Sequence, residues 1–365
     1  MSRTTSTVAL AAAAAIAAAL PLAGASAAQA AGTAGSVYVL GNQVAGNAVI
    51  QYDRGPDGQL ALVGSYPTTG TGTGGGLGSQ NAVVVDDEGS HLYAVDAGSS
   101  SITSFRIAEG GLERIGTVAS GGSTPTSLAV HGDRLYALNA GGSGNVASFA
   151  VADGALTMLS DGTSPLSGSS TSPAQVSVTP DGGQLVVTER ATNVVDVIDL
   201  DDSGRPDSIV SVPSSGAVPF GFDFDNKGHL LVSEAAASTA SSYDVTPAGL
   251  TTISASVTTT ENAACWLVAT NNGRFAYTGN AGGSLSISGF RVGNDGSLTL
   301  LTPGGKTGVT PAGVTDLALS ANSQFLYGRL GNGSVAGFAV NQNGSLDAVG
   351  VFAGLPVGAV GIAAL

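Results

Sequence analysis

Glu189 and Glu234 each close a short run of mainly apolar residues, Leu185-Val-Val-Thr and Leu230-Leu-Val-Ser. Asp96, Asn139 and Asn280 close runs of the same kind, Leu92-Tyr-Ala-Val, Leu135-Tyr-Ala-Leu and Ala276-Tyr-Thr-Gly. Equivalent ends of repeated strands collect at one end of a molecule, so three carboxylates and two amides are expected around one mouth. Acids held close split their pKa values, and one can then serve as a general base near neutral pH. Glu189 and Glu234 are the candidates for that role; the alternative is a strand-end acid that only caps turn amides in solvent. Arg190 directly follows Glu189, and side chains alternate along a strand, so the two are expected to face opposite sides. The guanidinium either binds a substrate carboxylate or pairs with a nearby acid. Trp266, the only tryptophan, is either a platform for a sugar or ring or a packing residue between repeats. Asp316, in Val314-Thr-Asp-Leu, is either a further polar group in the same opening or a partner for turn backbone. No cofactor motif is present; the one inorganic partner such an acidic mouth would take is a divalent cation.

Other chemistries are excluded by composition and spacing. Cys265 is the only cysteine, which rules out an intrachain disulfide and any cysteine-cluster metal site. It reads as a small buried hydrophobe. The histidines, His91, His131 and His229, have no partner at metal-ligand spacing. His91 and His229 fall in turns at the opposite end of the repeats from the acids. No Gly-x-Ser-x-Gly elbow occurs, and the glycine-rich stretch 69–78 lacks the Gly-Lys-Ser/Thr of a phosphate loop. A net charge of −14 with only 10% charged residues argues against nucleic acid, which needs a basic stripe, and against anionic lipid.

The elements that position these residues come from one repeated unit. Its middle strand carries Tyr38, Tyr93, Tyr136, Val186, Leu231, Tyr277 and Tyr327 at its second place, with spacings of 55, 43, 50, 45, 46 and 50. A polar turn such as Pro180-Asp-Gly precedes the strand. An alternating strand such as Ser101-Ile-Thr-Ser-Phe-Arg-Ile follows it, and a fourth strand such as Leu298-Thr-Leu closes the unit. Period-2 alternation between Gly, Asp and Asn turns means antiparallel strands. Four strands every 40–50 residues, seven times, predict an all-β, seven-bladed β-propeller with four-stranded antiparallel blades. The expected blade limits are about 36–67, 80–120, 124–162, 172–214, 218–259, 262–304 and 313–354. The first unit lacks an inner strand, and Gly358-Ala-Val-Gly-Ile-Ala-Ala-Leu has no unit behind it. The C-terminal strand is therefore expected to complete blade 1, which leaves no long open sheet edge.

Residues 1–30 carry one charge, Arg3, then an apolar run and Ala28-Gln29-Ala30. That pattern predicts a cleaved secretory signal and a secreted chain, with 31–365 as the propeller. No later apolar stretch reaches the length of a membrane span. A monomer is expected.

The unit Pro180-Asp-Gly … Leu185-Val-Val-Thr … Val194-Val-Asp-Val-Ile-Asp resembles the YVTN repeat, and residues 35–365 resemble the lactonase family of seven-bladed propellers. Bacterial propeller-type 6-phosphogluconolactonases and fungal carboxymuconate-cyclising enzymes belong to that family. The resemblance implies hydrolysis or formation of a sugar-acid or dicarboxylic-acid lactone. It carries the family's strand-end glutamate onto Glu189 as the catalytic residue; the ligand-binding candidates Arg190, Glu234, Trp266, Asn280, Asn139, Asp96 and Asp316 rest on their positions and residue types alone. Pro173-Ala174-Gln175 stands where the family has Pro-Arg-His. That departure favours the alternative, a non-catalytic extracellular binding or scaffold propeller.

Overall fold

The computed structural model describes residues 33–365; the signal reading of residues 1–30 lies outside them. Among the described residues every regular element is a strand, as alternation without a 3.6-residue period requires. No helix there is long and apolar enough to cross a membrane. The strands form seven sheets, and the first strands of successive sheets touch one another in a closed circuit. Blade 2 comprises Val83–Val85, His91–Asp96, Ser101–Ala108 and Gly111–Ala119 in spatial order from the axis outward. Blades 3 (125–165), 4 (173–213), 5 (219–258), 6 (264–309) and 7 (314–353) repeat it. Blade 1 contains Gly35–Leu40, Ala48–Arg54 and Leu60–Pro67 and takes its inner strand, Val360–Ala364, from the C-terminus, with Tyr38 opposite Ala363. The seven-bladed, all-β architecture and its C-terminal closure thus follow the sequence pattern.

Three local departures have physical causes. The outer strand of blade 3, Ala155–Pro165, runs past 162 because a bulge between Ala147 and Phe149 admits extra residues. In blade 6 the outer edge is split into Leu298–Leu300 and Gly308–Val309, both paired with Ser286–Val292. The Thr302-Pro303-Gly304-Gly305 turn, closed by Gly305 N–H donating to the Thr302 carbonyl at 2.8 Å, interrupts it. Pro303 can donate no ladder bond there. The inner strand of blade 2 is only Val83–Val85, because the residues before it leave the sheet for the channel.

Blades lock to their neighbours through side chains at the second strand and glycines at the next blade's outer hairpin. Phe325 packs on Gly58, and Phe275 on Gly344; both glycines are left-handed (φ 79° and 87°), and a Cβ at either would run into the ring. The Tyr327 and Tyr277 hydroxyls donate to the carbonyls of these same glycines, each at 2.9 Å. His91 against Gly154 and His229 against Gly296 occupy the same place. Their Nδ1 atoms lie 2.9 Å from Asp86 and 2.7 Å from Asp225. These two histidines are therefore blade-docking residues. The tyrosines at the second place of the strand, Tyr38, Tyr93, Tyr136, Tyr277 and Tyr327, are among the largest fully buried side chains.

Candidate functional site

The strand-end acids sit at one end of the ring, as their spacing suggests, but they do not open onto its channel. Each is turned into its own blade, where it receives the loop arriving from the preceding blade. Glu189 is fully buried and accepts from Ser167 N–H (3.0 Å), Ser167 Oγ (2.5 Å) and Thr192 Oγ1 (2.6 Å). Glu234 is fully buried and accepts from Ser214 Oγ (3.0 Å), Gly216 N–H (2.7 Å), Ser241 Oγ (2.7 Å) and the Thr239 hydroxyl. Asp96 accepts from Asn47 Nδ2 (2.9 Å), Thr68 Oγ1 (2.5 Å) and Thr103 Oγ1 (2.7 Å). Burial pushes the Asp96 carboxyl above its usual range, and these donors pull it back. Asn139 donates to the Ser120 carbonyl at 3.0 Å, and Asn280 to Ser286 and Ser288 at 3.0 and 2.9 Å. The expected carboxylate ring around one mouth is thus a set of separate loop anchors. A buried carboxylate must be met by donors, and the hydroxyl-rich connections supply them locally. Among the described residues no group of three or more His, Cys, Asp or Glu could hold a metal ion.

Glu189 has one further partner. Asp196, on the neighbouring strand Val194–Leu200, is fully buried and accepts from Ser211 Oγ at 2.5 Å, while its Oδ2 has no bond of that kind. Burial first, and then the adjacent Glu189 carboxyl, push Asp196 up to about 8. The neighbouring carboxyl therefore adds to burial in favouring the protonated form of Asp196.

The cavity at this end is lined by other residues. It encloses about 290 Å³ between Phe220, Trp266, Thr315, Arg329, Val360, Gly361 and the segment 76–79. Trp266 is 7% exposed, donates from Nε1 to the Ser79 carbonyl at 2.9 Å, and meets Phe220 edge-on at 5.2 Å. It is at once a cavity wall and a packing residue between blades. Arg190 points away from Glu189, as alternation requires. Its Nε donates to the Ser172 carbonyl at 3.0 Å, its guanidinium lies 5.5 Å over the Phe220 ring, and it abuts Gly78. Burial lowers its pKa. It stands directly behind the cavity wall and pairs with no acid among the described residues.

Arg329 is not among the candidate site residues, although the sequence marks it, with Arg190, as one of two arginines whose orientation toward the channel decides whether an anionic substrate fits. It is 5% exposed, its Nη2 reaches only the Thr315 carbonyl at 3.4 Å, and its Nε and Nη1 have no partner. Desolvation lowers its pKa to about 10, against the pull of Asp316. Asp316 is directly opposite in strand register and 1% exposed. Its Oδ1 accepts from Leu317 N–H at 2.8 Å, and its Oδ2 is free. Burial raises Asp316 to about 8, and Arg329 acts the other way. A signal for Arg329 existed. The fourth place of the middle strand reads Leu40, Val95, Leu138, Thr188, Ser233, Gly279 and Arg329. Thr188 and Ser233 there bond to inner-strand carbonyls of the next blade. That place faces the inner strand of the next blade, and Arg329 is its only charge.

Where the family motif has Arg-His, Ala174 is fully buried, and Gln175 stitches blade 4 to blade 5. Its amide accepts from Phe222 N–H and donates to the Phe222 carbonyl, both at 2.8 Å.

Fold and cavity together define a propeller with a small, partly cationic, aromatic-walled pocket at this end of its axis. The family described as Lactonase, 7-bladed beta-propeller, matches residues 34–166 and 163–250. The chain belongs to that lactonase family. No curated protein matches it. Among solved structures it is similar to a candidate 6-phosphogluconolactonase of Bacteroides fragilis (17% identity, 91% of this chain and 98% of that one, TM-score 0.71). It is also similar to a protein of Lactobacillus plantarum (19%, 91% and 99%, 0.73) and to the periplasmic gluconolactonase PpgL of Pseudomonas aeruginosa (18%, 90% and 99%, 0.68).

Proposed function

We propose that the chain is an exported lactonase acting on a carboxylate-bearing lactone of the sugar-acid or dicarboxylic-acid class, bound in the pocket beside Trp266 and Arg329. The observation that carries this reading is Arg329: a guanidinium with two unpartnered nitrogens, 5% exposed, lining a concave site. Leaving such a group buried and unpaired is unfavourable, which is the expected state of a site awaiting an anion. Trp266 and Phe220 offer faces and edges to a ring. Asp316, opposite Arg329 in strand register and outside the pocket lining, acts as a positioning residue that biases the charge of the guanidinium. Water adds to the lactone carbonyl, and its released proton passes to the ring oxygen as that oxygen leaves as the product hydroxyl. Glu189 acts at a distance, holding the loop that ends at Ser172 and so placing Arg190. Export is supported by the sequence of residues 1–30.

The test is hydrolysis of a panel of sugar-acid and muconate-type lactones by the mature protein, beside Arg329→Met, Asp316→Asn and Glu189→Gln, with and without chelator. Activity lost in the first two supports the assignment. Activity lost only in Glu189→Gln returns the catalytic role to that residue. A folded but inert wild type favours the second reading, a binding propeller. That reading draws on the full occupation of Glu189 and Glu234 within their blades.

A further inference from the structure

The connection from blade 1 to blade 2 is far longer than a blade needs, running from Thr68 to Ala82 before the inner strand starts at Val83. Its last part does not cross the surface. Ser79, Gln80 and Asn81 thread the axis and bond to inner strands on several sides of the ring. Ser79 Oγ donates to the Thr126 carbonyl of blade 3 at 2.7 Å, and the Asn81 carbonyl accepts from Leu128 N–H of the same strand at 2.9 Å. Gln80 N–H donates to the Ala174 carbonyl of blade 4 at 3.1 Å. The Gln80 side chain spans to blade 6, where Nε2 donates to the Leu267 carbonyl at 2.8 Å and Oε1 accepts from Leu267 N–H at 3.0 Å. Gln80 is 3% exposed. At Gly221 of blade 5 the space for a Cβ is already taken by the Gln80 amide oxygen. Ser79 lines the cavity at one end of the axis, and Gln80 and Asn81 line a second cavity of about 360 Å³ at the other.

We infer that this tripeptide is a plug that makes the channel blind, and that Gln80 is a positioning residue which fixes the Trp266 wall of the pocket through the Ser79 carbonyl. The bonds run in series: Leu267 holds the Gln80 amide, Gln80 holds the chain, and the adjacent Ser79 carbonyl orients the Trp266 indole. A glutamine that bonds both backbone groups of one residue mimics a strand partner, so it sets position as well as adding stability. With the plug in place, a ligand enters and leaves by the Trp266 end only. The second cavity is a separate vestibule. This holds for any occupant of the pocket and does not depend on lactone turnover.

Trp266 is the only tryptophan, so its emission reports the wall directly, and acrylamide reports access to it. In the wild type, blue-shifted emission and weak quenching are expected. In Gln80→Met, which keeps the length and loses both side-chain bonds, emission should shift to the red and the quenching constant rise at least threefold. Gln80→Glu, which keeps the acceptor for Leu267 N–H, should fall between. Asn139→Ala, a buried amide outside the pocket, serves as the control for general loosening and should leave both readings at wild-type values. If Gln80→Met is destabilised as much as Asn139→Ala yet keeps wild-type emission and quenching, Gln80 is only structural and the inference fails. Should Gln80→Met not fold, Ser79→Ala, which frees the segment from Thr126, must raise quenching in the same direction, and unchanged quenching there overturns the inference too.

Discussion

Replacing Arg329 by methionine should make the protein more stable and its pocket less able to bind an anion. Arg329 is 5% exposed, and its only hydrogen bond, to the Thr315 carbonyl, is 3.4 Å long. Burial brings its pKa from 12.5 to about 10, which corresponds to roughly 3 kcal/mol disfavouring the charged form. Methionine fills similar volume with a flexible apolar chain and removes that penalty. The facing Asp316, with its pKa raised to about 8, is largely neutral at pH 7 and loses little when the guanidinium goes. Exchanging a buried charged group for a well-packed apolar one typically changes stability by about 1–4 kcal/mol in the favourable direction, so a gain of about 1–3 kcal/mol is expected. Urea unfolding followed by Trp266 emission measures it. The same emission, titrated with carboxylate-bearing lactones, should show affinity falling about 10- to 150-fold, the equivalent of a charged hydrogen bond of roughly 1.5–3 kcal/mol. A variant that is less stable by more than 1 kcal/mol would mean that the guanidinium is held by the fold rather than waiting for a ligand, and the assignment of the pocket would be withdrawn.

Glu234→Ala leaves four donors of Ser214, Gly216, Thr239 and Ser241 unmatched and should cost at least about 3 kcal/mol in urea unfolding. Glu234→Gln, which faces three hydroxyls that can turn to accept, should cost about 1–2 kcal/mol; equal, small losses in both would contradict the anchoring role. Asp196 has its folded pKa raised to about 8, so its contribution is fully present below the ordinary aspartate range and is lost as pH rises through about 8. Wild type should therefore decline relative to Asp196→Asn by up to about 1.4 kcal/mol per pH unit across that window, and parallel stability curves would refute the raised pKa of Asp196. Gly58→Ala puts a methyl into the Phe325 ring at a φ of 79° and should cost more than about 2 kcal/mol, read as a lowered urea midpoint.

The propeller was legible because its signals are periodic and redundant. The Leu-Tyr strand recurs with only the spacing varying, and the orphan strand at the C-terminus has one place to go. The end of the ring that carries Glu189 was legible for the same reason. What the repeat did not disclose is which way a strand-end side chain turns. Glu189 and Glu234 read as a convergent pair because both are acids at equivalent places. The deciding partners, Ser167 and Ser214, lie in connections whose Ser- and Gly-rich composition has no period. The plug was hidden for a similar reason. The run 69–78 announces a turn-rich connection, and nothing in Ser79-Gln80-Asn81 marks it as axial until the Leu267 backbone is seen opposite Gln80.

The fourth and fifth places of the middle strand divide the work of this end of the molecule, and alternation is what separates them. The fifth place turns into the blade, where Asp96, Glu189 and Glu234 collect hydroxyl and amide donors and become anchors for incoming loops. The fourth place turns toward the inner strand of the next blade. In most blades it carries a residue that completes packing or one backbone bond, such as Thr188 to the Phe220 carbonyl at 2.5 Å. In blade 7 it carries Arg329, with two nitrogens that complete nothing. Each of the three acids at the fifth place, Asp96, Glu189 and Glu234, is satisfied by the protein's own hydroxyls, because an incoming connection passes it. Arg329 at the fourth place has one long bond to the Thr315 carbonyl and, across the strand register, the Asp316 carboxyl. The molecule therefore uses its strand-end acids to hold incoming loops and leaves Arg329 on the pocket wall with two nitrogens free, the polarity that the proposed anionic lactone requires.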